Sequence, residues 1–135
     1  MKKRKFIWGL LLFTCSLLSS CKNYGTERMI NGVQYFYTSN VTESELYKLA
    51  DALKDFGFDV TNEDESKTIQ LNRTGNTYEV RAVVKKGMEM DSEFCNTAKI
   101  IAKYISTDFF DGANVEIHLC DEHLETLRVV LMLNY

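Results

Sequence analysis

The sequence lacks proline entirely, and no internal repeat or low-complexity tract is visible in its 135 residues. The nucleophile elbow of serine hydrolases, the phosphate-binding loop and the zinc-protease helix are also absent from the sequence. Its one long apolar stretch, Phe6–Leu18, has 13 residues, whereas a membrane-spanning helix needs about 20. These absences favour a protein that is not an enzyme, without deciding the matter, and we expect no cofactor.

The N-terminus has the layout of a secretory signal. Four of the first five residues are basic, the apolar stretch follows, and the next residues are Ser19-Ser20-Cys21. A charged start, a short apolar core and small residues before a cleavage site are typical of such signals. Together with Leu18, these three residues resemble the lipobox of bacterial lipoproteins. The resemblance implies that the Cys21 thiol receives a diacylglyceryl group, that residues 1–20 are removed, and that the new amine is often acylated.

The lipobox also predicts where the protein resides. One lipid chain gives only marginal membrane binding, so two or three chains on Cys21 would make attachment effectively permanent. The expected location is the bacterial cell envelope. In a Gram-negative host this is the outer membrane, facing the periplasm or the surface, because Lys22 is not an acidic inner-membrane retention signal. In a Gram-positive host it is the cell membrane.

Basic residues are scarce in the part of the chain that follows the signal. That part retains 12 basic and 19 acidic residues, a net charge of −7. A nucleic-acid partner is therefore not expected, because nucleic-acid binding needs a basic footprint. The same charge disfavours an electrostatic hold on anionic lipid headgroups, so the lipid on Cys21 would be the membrane contact.

We divide the chain into a signal peptide (1–20), a lipidated tether (21–32) and a single α+β domain (33–135). The turn at Asn31-Gly32 precedes an aromatic, β-branched strand, and Arg28–Ile30 is a candidate partner strand for it.

Local patterns place the elements of the domain. Thr42 and Glu45 form a capping box, which predicts a helix over 43–56. Asp91 or Ser92 begins a second helix, and Asp111 lies in the turn that follows it. The expected strands cover 33–38, 67–72, 76–85, 115–119 and 127–133. Helical spacing predicts that one side chain of each of two pairs is fully buried against the sheet: Leu49 or Leu53, and Ile101 or Ile105.

The order β-α-β-β-α-β-β predicts a two-layer α+β sandwich. The expected topology is a ferredoxin-like split β-α-β with an extra C-terminal strand and both helices on one sheet face. The stretch from Tyr35 to Val130, with Gly57-Phe58, 115–121 and 127–130, resembles uncharacterised domains of bacterial envelope proteins. That resemblance implies no known activity.

Both histidines of the chain fall within a short polar cluster. His118 and Cys120 lie two residues apart on a predicted strand, and His123 follows in the next turn. Imidazole, thiolate and carboxylate together suit zinc or copper, although the spacing matches no established ligand pattern. Polar residues at a strand end are the alternative interpretation.

Cys95 and Cys120 are the thiols that remain after lipidation of Cys21. An extracytoplasmic location permits a disulfide, and the topology brings the start of the second helix level with the strand end. Strand alternation opposes the bond, because it turns Cys120 away from the helices. Two separate, partly buried thiols are the expectation.

The sheet face without helices is the other candidate surface. Its outward positions are expected to include Phe36, Val83, His118, Val130 and Met132. A contiguous apolar patch suggests a partner, unless the tether or strand 28–30 folds over it. Two functions follow: a membrane-tethered interaction module that binds another envelope protein or itself, or a small metal- or ligand-binding lipoprotein that uses His118–His123.

The last strand favours the first function. Residues 127–133 are apolar at six of seven positions and carry one charge. The strand comes last in the chain, so it is expected at a sheet edge, where little protects it from pairing. Strand addition by another chain would cover it.

Overall fold

Six strands and two long helices form the part of the chain that the computed structural model describes, residues 23–57 and 67–134. The predicted signal peptide and Cys21 lie outside these residues. No helix within them is long and apolar enough to cross a membrane. In chain order the elements are β1 (Thr26–Ile30), β2 (Val33–Tyr37), α1 (Glu43–Asp55), β3 (Thr68–Thr74), β4 (Thr77–Val83), a 3₁₀ turn (Met88–Met90), α2 (Ser92–Phe109), β5 (Asn114–Cys120) and β6 (Thr126–Leu131).

The strands lie side by side in chain order, from β1 to β6. β1/β2, β3/β4 and β5/β6 are antiparallel, whereas β2/β3 and β4/β5 are parallel and are connected by α1 and α2. The predicted α+β class with two helices over one sheet is confirmed. The ferredoxin-like order is not observed, because a split unit places a strand between its two parallel strands, and here each parallel pair is directly hydrogen-bonded.

The two helical crossovers have opposite hands. Both step one strand in the same direction across the sheet, but they start from β2 and β4, which run in opposite directions. Both helices nevertheless cover the same face, since Tyr104 of α2 donates a hydrogen bond to Asp55 of α1 at 2.7 Å. One crossover is therefore left-handed, a rare arrangement for parallel strands.

The core lies between the helices and the sheet. The predicted capping box is present in full: Glu45 N donates to Thr42 Oγ1 at 3.1 Å, and Thr42 N donates to Glu45 Oε1 at 2.9 Å. On α2, Asp91 provides the N-cap. The sheet contributes Val33, Tyr35, Ile69, Leu71, Tyr78, Val80, Val115, Ile117 and Leu119, and the helices contribute Leu46, Leu49, Leu53, Ala98, Ala102 and Ile105.

The predicted elements are present, and their bounds shift by at most two residues. β1 lies in the range 21–32 that was expected as tether. It pairs along its full length with β2, from Thr26 opposite Tyr37 to Ile30 opposite Val33. The sheet therefore begins only five residues after Cys21.

Candidate interaction surface

Strand β6 forms one edge of the sheet. It pairs with β5, and no strand of the described residues lies beyond it. Leu127, Val129 and Leu131 are 48%, 44% and 60% exposed, and we call these three side chains the β6 apolar row. A free edge with exposed apolar side chains is a template for pairing with another strand.

The placement of Val130 and Met132 on the face without helices was wrong. Val130 is 3% exposed and pairs with Ile117, and Met132 packs against the same core. Because side chains alternate along a strand, choosing the wrong residue as inward-facing assigns every side chain of that strand to the wrong face. Odd- and even-numbered positions of β6 are both apolar, so its sequence does not show which set faces the core.

The face away from the helices, here called the open face, carries paired charges. His118 Nε2 donates a hydrogen bond to Glu116 Oε2 at 3.0 Å, and the same nitrogen lies 4.0 Å from Glu79 Oε2. Arg81 Nη1 lies 4.0 Å from the same Glu79 oxygen. One row of side chains crosses this face in register: Glu27, Phe36, Gln70, Arg81, His118 and Val129.

The N-terminal residues Asn23–Gly25, here called the strap, cover part of the open face. The Tyr24 ring lies 5.5 Å from the Phe36 ring. Tyr24 Oη donates to the His123 carbonyl at 3.3 Å, and the Tyr24 carbonyl accepts from Gln70 Nε2 at 2.8 Å. Phe36 is thus partly covered by the chain itself, which was one of the two alternatives for this face.

The three residues proposed as metal ligands do not converge. His118 Nδ1 bonds Thr126 Oγ1 at 3.0 Å, and the Cys120 thiol donates to the His118 carbonyl at 3.3 Å. His123 is 65% exposed and lies 3.4 Å from Glu122. Within residues 23–57 and 67–134 no group of three His, Cys, Asp or Glu side chains is placed to hold a metal.

Cys95 and Cys120 are both free and buried, which confirms the expectation of two separate thiols. The Cys95 thiol lies 3.5 Å from the Glu89 carbonyl, at the start of α2. Burial raises the pKa of the Cys120 thiol above its ordinary value. Since the thiolate is the nucleophile, Cys120 is protected from alkylation both by its position and by its protonation.

Alkylation with iodoacetamide tests this arrangement. In a form lacking residues 1–21, we expect both thiols to be labelled after unfolding without any reductant. In the folded protein we expect Cys120 to react slowly, and faster as the pH rises, because a raised pKa leaves less thiolate at neutral pH. Mass spectrometry of the labelled peptides measures both effects. Labelling that requires a reductant would instead demonstrate a disulfide.

An apolar cavity of about 200 Å³ lies between the helices and the C-terminal half of β4. Val83, one of the predicted surface residues, lines it together with Phe56, Phe94 and Ile101. Among its described lining residues only Thr97 has a polar side chain. Ligand sites usually combine apolar walls with several polar groups that orient the ligand, and this cavity lacks such a set.

Comparison with known proteins agrees with this architecture. A family model named AF_1994_N, described as a family N-terminal domain, matches residues 28–131. The chain belongs to the AF_1994_N family. The matched range runs from β1 to the end of β6, so the AF_1994_N domain includes both sheet edges. The match agrees with the resemblance to uncharacterised domains. No curated protein and no solved structure matches the chain.

Proposed function

We propose that the protein is a lipid-anchored, extracytoplasmic interaction module of the bacterial cell envelope. Cys21 attaches it to the membrane, and β6 binds a second copy of the same chain. The observation that carries this proposal is the β6 apolar row at a free sheet edge. The lipobox at Ser19-Ser20-Cys21 supports the anchor.

The sequence of β6 is suited to pairing with itself. In an antiparallel pair centred on Val129, Leu127 of one copy lies opposite Leu131 of the other, so the β6 apolar row meets itself. Such isologous contacts are the commonest kind in homo-oligomers, and apolar cross-strand pairs each contribute roughly 0.2–1 kcal/mol.

The β6 edge is where charge opposes a second copy least. Two copies of the part that follows the predicted signal, each with a net charge of −7, repel each other over most of their surface. β6 carries one charged side chain, Arg128, and its guanidinium donates to the Glu89 carbonyl at 3.0 Å. Because a lipid anchor confines copies to two dimensions, it raises their effective concentration.

Lysine substitution on the β6 apolar row tests the pairing. We expect the parent form lacking residues 1–21 to be dimeric at high concentration, and V129K/L131K to be monomeric, because two charges would enter an apolar contact. Ile100→Lys is the matched control, since Ile100 is 54% exposed and lies on α2, outside the strand that is proposed to pair. Mass in solution by light scattering measures the result, with circular dichroism to verify folding.

Cross-linking in the membrane provides a second measurement. Because Val129 would lie opposite its own copy, V129C should form a disulfide-linked dimer in lipidated full-length protein, whereas I100C should not. A disulfide requires that the Cα atoms of its two cysteines lie about 4.4–6.8 Å apart, and directly opposite residues of two paired strands meet this requirement. A monomeric parent with no V129C cross-link would reject self-pairing and leave a strand of another protein as the candidate partner.

A further inference from the structure

The path of the strap is fixed by Gly25. Its backbone has a φ of +101°, and a Cβ at this position would clash with the Tyr37 carbonyl oxygen. Any other residue would therefore combine a disfavoured backbone conformation with a clash against backbone atoms. The Gly25 amide also donates to Asn23 Oδ1 at 2.9 Å. The chain reaches Tyr24 through a contact that only glycine permits.

The strap determines which face of the domain lies nearest to the proposed lipid anchor on Cys21. Cys21 precedes Tyr24 by three residues, and consecutive Cα atoms are about 3.8 Å apart, so the two Cα atoms lie within about 11 Å of each other. Tyr24 itself lies on the open face, against Phe36 and Gln70. A lipid on Cys21 would therefore be attached close to the open face, whereas the helices cover the opposite face.

Charge does not distinguish the two faces. The open face carries Glu27, Glu79 and Glu116 against Arg81. Helix α1, on the other face, carries four acidic and two basic side chains. The position of the strap is therefore what sets the orientation.

We propose that the open face lies against the lipid headgroups, and that Tyr24 and Gly25 hold the domain in this orientation. The partner of this face is therefore the membrane surface itself. The inference rests on lipidation at Cys21 and goes beyond it, because a lipid on a flexible tether would leave the domain free to rotate.

Fluorescence quenching by the bilayer tests the orientation. Lipidated full-length protein is placed in phosphatidylcholine vesicles that contain a lipid with a nitroxide on its headgroup. A fluorophore is attached at M29C, which lies on the open side of β1 and is 64% exposed at the native methionine, or at I100C on α2. The native Cys95 and Cys120 are buried, so labelling is selective. We expect the probe at position 29 to be quenched several-fold more strongly than the probe at position 100.

Variants of the strap complete the test. G25V should bring the two probes to similar quenching while the protein stays attached to vesicles. If G25V does not fold, Y24A provides the same comparison with the glycine retained. Equal quenching of the two probes in the parent, or stronger quenching at position 100, would overturn the proposed orientation. Fatty-acid labelling of the same samples separates this outcome from a failure of lipidation, in which no lipid is found on the chain.

Discussion

Serine in place of Cys21 is expected to abolish lipid attachment completely and to leave the chain as an uncleaved precursor. In the proposed lipidation the Cys21 thiol accepts the diacylglyceryl group, and a serine hydroxyl is far less nucleophilic than a thiolate. Metabolic labelling with a fatty-acid probe, together with the intact mass of the purified chain, measures both consequences. The effect should be all-or-none, because the substitution removes the acceptor thiol itself.

Cys15→Ser is the matched control for this substitution. Cys15 lies in the apolar stretch of the predicted signal, so its replacement should leave labelling and processing unchanged. A C21S protein that still incorporates the probe would show that the lipobox was misassigned. Loss of labelling in C15S alone would place the modified thiol in the wrong part of the sequence for a lipoprotein.

Alanine in place of Ile105 is expected to lower the free energy of unfolding by about 2–5 kcal/mol. Ile105 is fully buried on α2, facing the sheet, so truncation removes apolar contacts and leaves a cavity. A domain of this size has only about 5–15 kcal/mol of stability. Urea denaturation followed by circular dichroism gives the change as a shift in midpoint at constant slope.

Ile100→Ala isolates the contribution of burial. It changes the same residue type on the same helix, but Ile100 is 54% exposed. Surface substitutions of this kind usually change stability by less than about 0.5 kcal/mol. Similar losses for I105A and I100A would contradict the placement of α2 over the sheet.

Elements with local signals were predicted well. The capping box of Thr42 and Glu45 is contained within four residues, and it located the start of α1 correctly. Ile105 was identified by helical spacing alone, since each buried residue of an amphipathic helix is marked by its neighbours one turn away. Such signals depend on contacts between residues that are only a few positions apart in the chain, so they can be recognised in a single sequence.

Strand order and the phase of β6 could not be predicted in the same way. The predicted ferredoxin-like order and the observed order, in which the strands lie side by side as they follow in the chain, use the same helices and the same alternating strands. The pattern of apolar residues therefore does not distinguish the two orders. In β6, Val129 and Val130 are both apolar, and only pairing with β5 shows which of them faces the core.

The role of Tyr24 was missed for a related reason. Its hydrogen bonds reach Gln70 and His123, which are 46 and 99 residues away in the chain. A tyrosine followed by a glycine in an otherwise polar tether was the available signal. An aromatic side chain in a short polar segment is more stable when it packs on the domain, and Gly25 permits a backbone turn that other residues disfavour.

The sequential strand order also affects how the domain can assemble. Within the described sheet, no paired residues are more than 37 positions apart in the chain, the separation of Thr77 and Asn114. Such a topology has a low contact order for a mixed sheet, and loop closure costs less when partners are near in sequence. A chain that emerges with its N-terminus first can therefore add each strand to the growing edge as it appears. The order of emergence is the order of pairing, and β6 completes the sheet last.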